Sequence, residues 1–140
     1  MSTLPRSRQH GFSLIELLVV LLIIGLLVGY VGPNYFKKAD QAKVTAARGQ
    51  IEALSKALDQ YRIDVGRYPT SEQGLAALME QPEGAKNWQG PYLKKAVPND
   101  PWDHSYEYKA PGEHGEFDLS SPGADGKPGG EGLDTDITNW

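Results

Sequence analysis

The chain has 140 residues, 14 of them Lys or Arg and 18 Asp or Glu, with no cysteine. That length allows one modest domain beside a membrane segment. The acidic balance gives no support to nucleic-acid binding, which shows as a basic patch. The missing cysteine excludes disulfides, thiol catalysis and Cys-ligated zinc, so a small domain rich in Gly and Pro needs some other fastening.

The first ten residues carry Arg6 and Arg8 as their fixed charges, and Gly11-Phe12-Ser13-Leu14-Ile15-Glu16 follows. Leu17 to Val28 is uninterrupted Leu, Val, Ile and Gly. Phe12 to Val31 is twenty residues, about the length of a bilayer-spanning helix at roughly 1.5 Å per residue. A basic leader before it and a polar remainder after it predict a cytoplasmic N-terminus and an exported C-terminal part. Glu16 is the anomaly. An acid at the centre of a span costs on the order of 3 kcal/mol; near the edge the cost is smaller, and a partner offsets it. Either Glu16 snorkels to the interface or it awaits a cation. Cutting after Gly11 would create one, the new α-amino group of Phe12, four residues earlier on the same helix. An ordinary secretory signal fits less well, because Leu26 to Gly32 offers a poor small-x-small site and the acid opens the apolar run.

Gly32 and Pro33 predict a kink or loosening. Beyond them Val44, Ala47, Ile51, Leu54, Leu58, Tyr61 and Val65 recur at spacings of three and four, a narrow apolar stripe on one helical face. Gly66 and Tyr68-Pro69 end the helix, so Phe12 to about Asp64 would run roughly 80 Å. The stripe is short for a coiled-coil seam and suits packing against the rest of the domain. Gly25-x-x-x-Gly29 alone is weak evidence for a dimerisation face.

Thr70-Ser71-Glu72-Gln73 reads as a capping box before a short helix to about Met79, with Leu75 and Leu78 inward. Gln81 to Asp103 is loop-rich. Trp88, Tyr92 and Trp102 suit aromatic packing over a small core, and Asn99-Asp100-Pro101-Trp102 is mechanically a turn. Ser105–Lys109 and Glu116–Ser120 alternate around Tyr106, Tyr108, Phe117 and Leu119, an antiparallel hairpin with one buried face. Its sheet packed on the helical stripe gives an α+β fold.

The stretch from Ser121 to Trp140 is rich in Gly and Asp. It reads two ways: a flexible, solvated acidic loop, or a cage of carboxylates and carbonyls for Ca²⁺, which takes six to eight oxygens. Asp125, with Asp134 and Asp136 returning near it, would supply the acids; EF-hand spacing is absent. Ile137 and Trp140 close the chain as apolar anchors that a free tail does not need. An enzyme is not indicated. His10, His104 and His114 lack metal-ligand spacing, and Ser120-Ser121 lacks a nucleophile-elbow context.

Gly-Phe, a small polar residue, two aliphatics and Glu, behind a basic leader and ahead of an apolar helix, resemble the signal of type IV pilins and type II secretion pseudopilins. The Tyr-Pro-Thr-Ser-Glu-Gln-Gly-Leu segment, the Asp-Pro-Trp turn and the closing Asp-Ile-x-Asn-Trp extend the resemblance over the whole chain, nearest to the major pseudopilins. It implies a pilin-like lollipop: leader 1–11, removed; assembly helix 12–32; periplasmic head 33–140 with a calcium-binding loop. A prepilin peptidase would cut between Gly11 and Phe12, Phe12 would be N-methylated, and Glu16 would pair with the amino terminus of a neighbouring copy. Without Arg6 and Arg8, 12 basic residues face 18 acids, a net of −6. Gly25, Gly29, Gly32 and Pro33 suit the partly melted helix of assembled fibres. In the loop, Asp125 and Asp136 match carboxylate ligands and Pro122 and Lys127 match carbonyl donors of Ca²⁺; whether Asp134 or Thr135 completes the site stays open. The implied function is structural: a subunit of an inner-membrane-anchored, periplasmic pseudopilus that helps drive folded proteins across the outer membrane. Its partners would be copies of itself, minor pseudopilins and the inner-membrane secretion platform. Alternatives are a surface type IV pilus, whose subunits often close with a disulfide this chain cannot form, and a signal-anchored calcium-dependent binding module.

Overall fold

The structure, a computed structural model, describes residues 11–140. The basic leader, with Arg6, Arg8 and His10, lies outside the described residues. In chain order the elements are helix α1 (Leu14–Val65), a 3₁₀ turn (Leu75–Leu78), strand β1 (Glu107–Lys109), strand β2 (Asp118–Ser121), a second 3₁₀ turn (Gly132–Asp134) and strand β3 (Ile137–Thr138). Two compact units result, one ending at Lys38 and the other formed by Ala39–Trp140, and α1 contributes to both.

In the first unit the apolar side chains from Leu14 to Val31 are exposed all around the helix. A helix apolar on every side belongs in lipid or among other helices. Among the described residues α1 is the one helix long and apolar enough to cross a membrane. Pro33 lies inside α1 without ending it. A proline within a helix deletes one backbone donor, and the helix absorbs that loss without a break.

The second unit is built on the stripe. Ala47, Ile51, Leu54, Leu58 and Tyr61 are buried, Val44 and Val65 pack at its ends, and Ala57 joins from the next row. Against them lie Leu75 and Leu78 of the first 3₁₀ turn and Tyr106, Phe117, Leu119 and Ile137 from the sheet region. The sheet is antiparallel in the order β1-β2-β3. Tyr108 faces Leu119 in one pairing and Ser121 faces Ile137 in the other. The expected hairpin is thus present with shorter strands, and a third strand that the sequence reading did not name joins it from the chain end.

The capping box forms. Thr70 N–H donates to Gln73 Oε1 (3.0 Å) and Gln73 N–H to Thr70 Oγ1 (3.3 Å). The short helix expected to about Met79 follows as four residues of 3₁₀ rather than α-helix, Leu75–Leu78 with Met79 as its C-cap. Gly74 N–H closes a turn on the Thr70 carbonyl (2.9 Å), the backbone leaves at Gly74 with φ 58°, and only the four residues of the 3₁₀ turn come after. Trp88, Tyr92 and Trp102 all pack on the core. Trp88 Nε1–H donates to the Ala77 carbonyl (2.8 Å), and Tyr92 stands edge-on to both Trp88 and Tyr61.

Tyr61 is fully buried, and its hydroxyl has no hydrogen-bond partner. A buried polar group without a partner destabilises the fold. Tyr61→Phe keeps the ring and removes the stranded oxygen, so it should raise stability by about 1 kcal/mol. Urea unfolding of the two proteins checks this; a lower midpoint for the variant would contradict it.

Candidate functional site

Gly11 and Phe12 precede the first turn of α1, and Phe12 is 90% exposed. The bond between them is therefore outside helical structure and open to a peptidase. Ser13 is the N-cap: its carbonyl accepts Leu17 N–H (3.2 Å), and its Oγ accepts Glu16 N–H (3.2 Å). In return Ser13 N–H donates to Glu16 Oε2 (2.9 Å). This is a reciprocal capping box. The Ser-x-x-Glu spacing is its sequence signature, masked by the oddity of an acid in an apolar run. The carboxylate has a local donor and sits at the positive end of the helix dipole. Pro33 is exposed on α1.

The acidic loop connects β2 to β3 and folds back on itself. Ala124 N–H donates to the Leu133 carbonyl (3.1 Å) and Asp134 N–H to the Glu131 carbonyl (3.1 Å). Gly130 lies so close to Asp134 that a Cβ there would stand 2.3 Å from the Asp134 carbonyl oxygen, so no larger residue fits. Asp136 is the informative acid. Its Oδ2 accepts Gly129 N–H (2.9 Å), while its Oδ1 is buried with no partner. A buried carboxylate oxygen left unpaired is costly, and a hard cation is one group that would satisfy it.

The other proposed ligands are spread along the loop. Asp125 is exposed, and its Oδ1 accepts Lys127 N–H (3.0 Å). Pro122 is buried, Asp134 half-buried, and Thr135 and Lys127 exposed. No group of three or more His, Asp or Glu side chains converges among the described residues. Asp125, Asp134 and Asp136 therefore do not meet as one carboxylate cage. A cation held at Asp136 would therefore draw on backbone carbonyls as well as carboxylates, a mixture that suits Ca²⁺.

Both ends of the loop are pinned by residues whose role depends on distant partners and carries little local signal in the sequence. Asp100, read only as part of a turn, is 4% exposed. Its Oδ1 accepts Trp102 N–H (3.0 Å) and His104 N–H (2.8 Å), and its Oδ2 accepts the Ser121 hydroxyl. The signal was the Asp itself, since Asp ahead of Pro favours such side-chain-closed turns. Asp100, His104 and Ser121 lie together, yet Ser121 is fully buried and its hydroxyl donates a hydrogen bond to Asp100 rather than to a base, so the trio presents no accessible nucleophile. At the other end Asn139 imitates a strand. Its backbone N–H donates to the Leu119 carbonyl (3.1 Å), its Oδ1 accepts Leu119 N–H (2.8 Å) and its Nδ2 donates to the Phe117 carbonyl (3.3 Å).

Trp140 stacks on the His114 ring (4.0 Å between centroids, 4° between planes). His114 Nδ1 lies 2.9 Å from Asp118 Oδ2, and Asp118 also accepts the N–H groups of Glu113 (2.9 Å) and His114 (3.1 Å). Burial pushes the Asp118 carboxyl up, but the hydrogen bonds from the His114 ring and these two N–H groups outweigh it and hold it below its ordinary 3.8. A carboxyl lowered by folding stabilises the fold above its ordinary pKa and loses that contribution as pH falls through the folded value. Asp118→Asn should therefore melt below wild type at pH 7, and the gap should close as pH falls through and below 3.8. Melting curves against pH test this, and a gap that widens toward acid would refute it.

Comparison with known proteins bears on both ends of the chain. Residues 34–140 match the family model described as type II secretion system (T2SS), protein G, and residues 6–31 match the prokaryotic N-terminal methylation motif. The type II secretion system core protein G of Pseudomonas aeruginosa is 50% identical, over 98% of this chain and 99% of that protein. The protein of the same name from Vibrio cholerae is 43% identical, over 95% of this chain and 92% of that protein. Among solved structures, the major pseudopilin from the type 2 secretion system of enterohaemorrhagic Escherichia coli matches with a TM-score of 0.66 at 38% identity, covering 77% of this chain and 95% of that one.

Proposed function

The chain belongs to the type II secretion system protein G family, and on that premise we propose that it is the repeating subunit of a periplasmic pseudopilus that helps move folded proteins across the outer membrane. The observation that carries this is one juxtaposition. A solvent-open Gly11-Phe12 bond stands immediately ahead of a helix whose apolar side chains have no covering in the single chain. Such a helix is held in the inner membrane until copies replace lipid as its neighbours. The N-terminus is cytoplasmic and the second unit periplasmic, and α1 is the anchor.

A prepilin peptidase cuts between Gly11 and Phe12, and the new amine is methylated. Cleavage places a cation just ahead of the Ser13–Glu16 box. Within a fibre Glu16 then neutralises the amine of a neighbouring copy, because an unpaired charge among apolar helices is expensive. Minor pseudopilins and the inner-membrane platform are further partners, and the role is structural rather than enzymatic. Protein purified from its host's membranes should lack residues 1–11 and carry one added methyl by intact mass. Glu16→Ala should still insert but lose most of the self-cross-linked ladder; a full-length mass, or a normal ladder from the variant, would overturn the reading.

Calcium is the proposed fastening of the acidic loop. Asp136 and Asp125 would hold it with the carbonyls of Pro122 and Lys127, and either Asp134 or Thr135 would complete the set. The ion would supply positive charge to an acidic loop and satisfy Asp136 Oδ1. The unpaired, buried state of that oxygen supports this reading. At a hundredfold excess over Kd, calcium should raise the melting temperature by roughly 10 °C or more. Asp136→Ala should remove that rise. A wild-type melting temperature equal in calcium and in chelator would refute the site.

A further inference from the structure

The acidic loop is laid against a residue it does not contain. His104 Nδ1 lies 3.1 Å from the Gly123 carbonyl oxygen and 3.7 Å from Asp100 Oδ2. Both neighbours are acceptors, so this nitrogen carries the hydrogen and donates to Gly123. The far edge of the ring lies beneath Gly126, where a Cβ would stand 2.8 Å from Nε2 and 3.1 Å from Cε1. Gly126 also has a φ of +67°. A side chain there would be strained and would collide with the imidazole. The ring thus touches the first turn of the loop at both its ends, Gly123 and Gly126.

The ring is itself aligned. His104 N–H donates to Asp100 Oδ1 (2.8 Å), and the turn that delivers it closes through Asp103 N–H on the Asp100 carbonyl (2.9 Å). Asp103 sits at φ 70°, the only non-glycine at positive φ among the described residues. Such a conformation is strained for an L-residue and persists where the surroundings over-determine it; here Asn99 Nδ2 holds the Asp103 carboxylate (2.9 Å). Ser121 completes the frame. Its hydroxyl donates a hydrogen bond to Asp100 and accepts Gly123 N–H (3.3 Å). Gly123 is therefore gripped on both sides, its N–H by Ser121 and its carbonyl by His104, and both grips refer to one buried carboxylate.

We propose that His104 is a positioning residue for cation binding: it fixes the Gly123–Gly126 turn and so sets the Pro122 carbonyl, Asp125 and Lys127 for the ion. The proposal rests on the calcium reading above, but the ordering of the loop is measurable without the ion. His104→Ala leaves the Gly123 carbonyl without its donor and opens a hole beneath Gly126. His104→Gln keeps a side-chain N–H to offer that carbonyl.

Wild type and both variants are compared as full chains in detergent micelles. Titration with calcium chloride reads the Kd. Amide exchange in excess chelator reads Ala124 N–H, which bridges the loop to Leu133. His104→Ala should weaken calcium about tenfold and speed Ala124 exchange by a similar factor, while amides of Leu58 and Leu119 in the core keep their protection. His104→Gln should recover part of both effects. Unchanged affinity, or unchanged Ala124 exchange, in His104→Ala overturns the proposal. If that variant loses protection throughout, His104→Gln decides: an intact core with weakened affinity and faster Ala124 exchange supports the proposal, and an intact core with wild-type affinity and loop exchange overturns it. A wild type that binds no calcium overturns the calcium reading and the role given to His104 in affinity. The exchange measurement distinguishes that failure from a loop that His104 never ordered.

Discussion

The stripe of α1 from Ala47 to Tyr61 is the surface on which the second unit is laid. Strands of three, four and two residues do not stand alone in water, and here none has to. Tyr106, Phe117, Leu119 and Ile137 all reach the same cluster as the stripe. So do Leu75 and Leu78, from a segment that makes only one 3₁₀ turn. The helix in turn is exposed on its other faces, and its stripe is apolar surface that must be covered. Helix and sheet therefore form together or not at all, and the last strand of the chain is part of that bargain.

A second constraint is polar. Asp100 and Ser121 are the buried polar residues of the described chain, and they meet each other. A buried carboxylate is tolerable only when its oxygens are occupied; Asp100 has three donors. This joins the long loop before β1 to the end of β2. In a chain without cysteine, such a satisfied network supplies specificity of placement that apolar packing alone does not. Asp136 is the counterexample, with one oxygen engaged and the other stranded.

Much of this was legible from residue spacing. The stripe, the inward alternation at Tyr106, Tyr108, Phe117 and Leu119, and the capping box at Thr70 are local patterns of side chains, and each is found where its period places it. What escaped were features decided by distant partners. β3 is two residues long, too short to show a period, and exists because β2 offers it a ladder. Asp100 looks like any turn acid until Ser121, 21 residues later, arrives beside it. The helix after Thr70 is held to one 3₁₀ turn for a local reason, the conformation of Gly74, which the apolar pattern of Leu75 and Leu78 concealed. The Ser13–Glu16 box was visible but masked by the stronger oddity of an acid in an apolar run.

The clamp made by Asn139 has a further consequence. An open sheet edge is a template for unwanted strand addition, a particular hazard in the proposed fibre, where copies would be crowded together. Beyond the two residues of β3, the Asn139 side chain occupies the free main-chain groups of Leu119 and Phe117. On the opposite side β1 carries the exposed charges of Glu107 and Lys109, and Ser71 closes off the backbone of Ala110 just past its end. With both flanks of the sheet blunted, assembly of the proposed fibre would be left to the helices, and the globular parts could crowd together without exchanging strands.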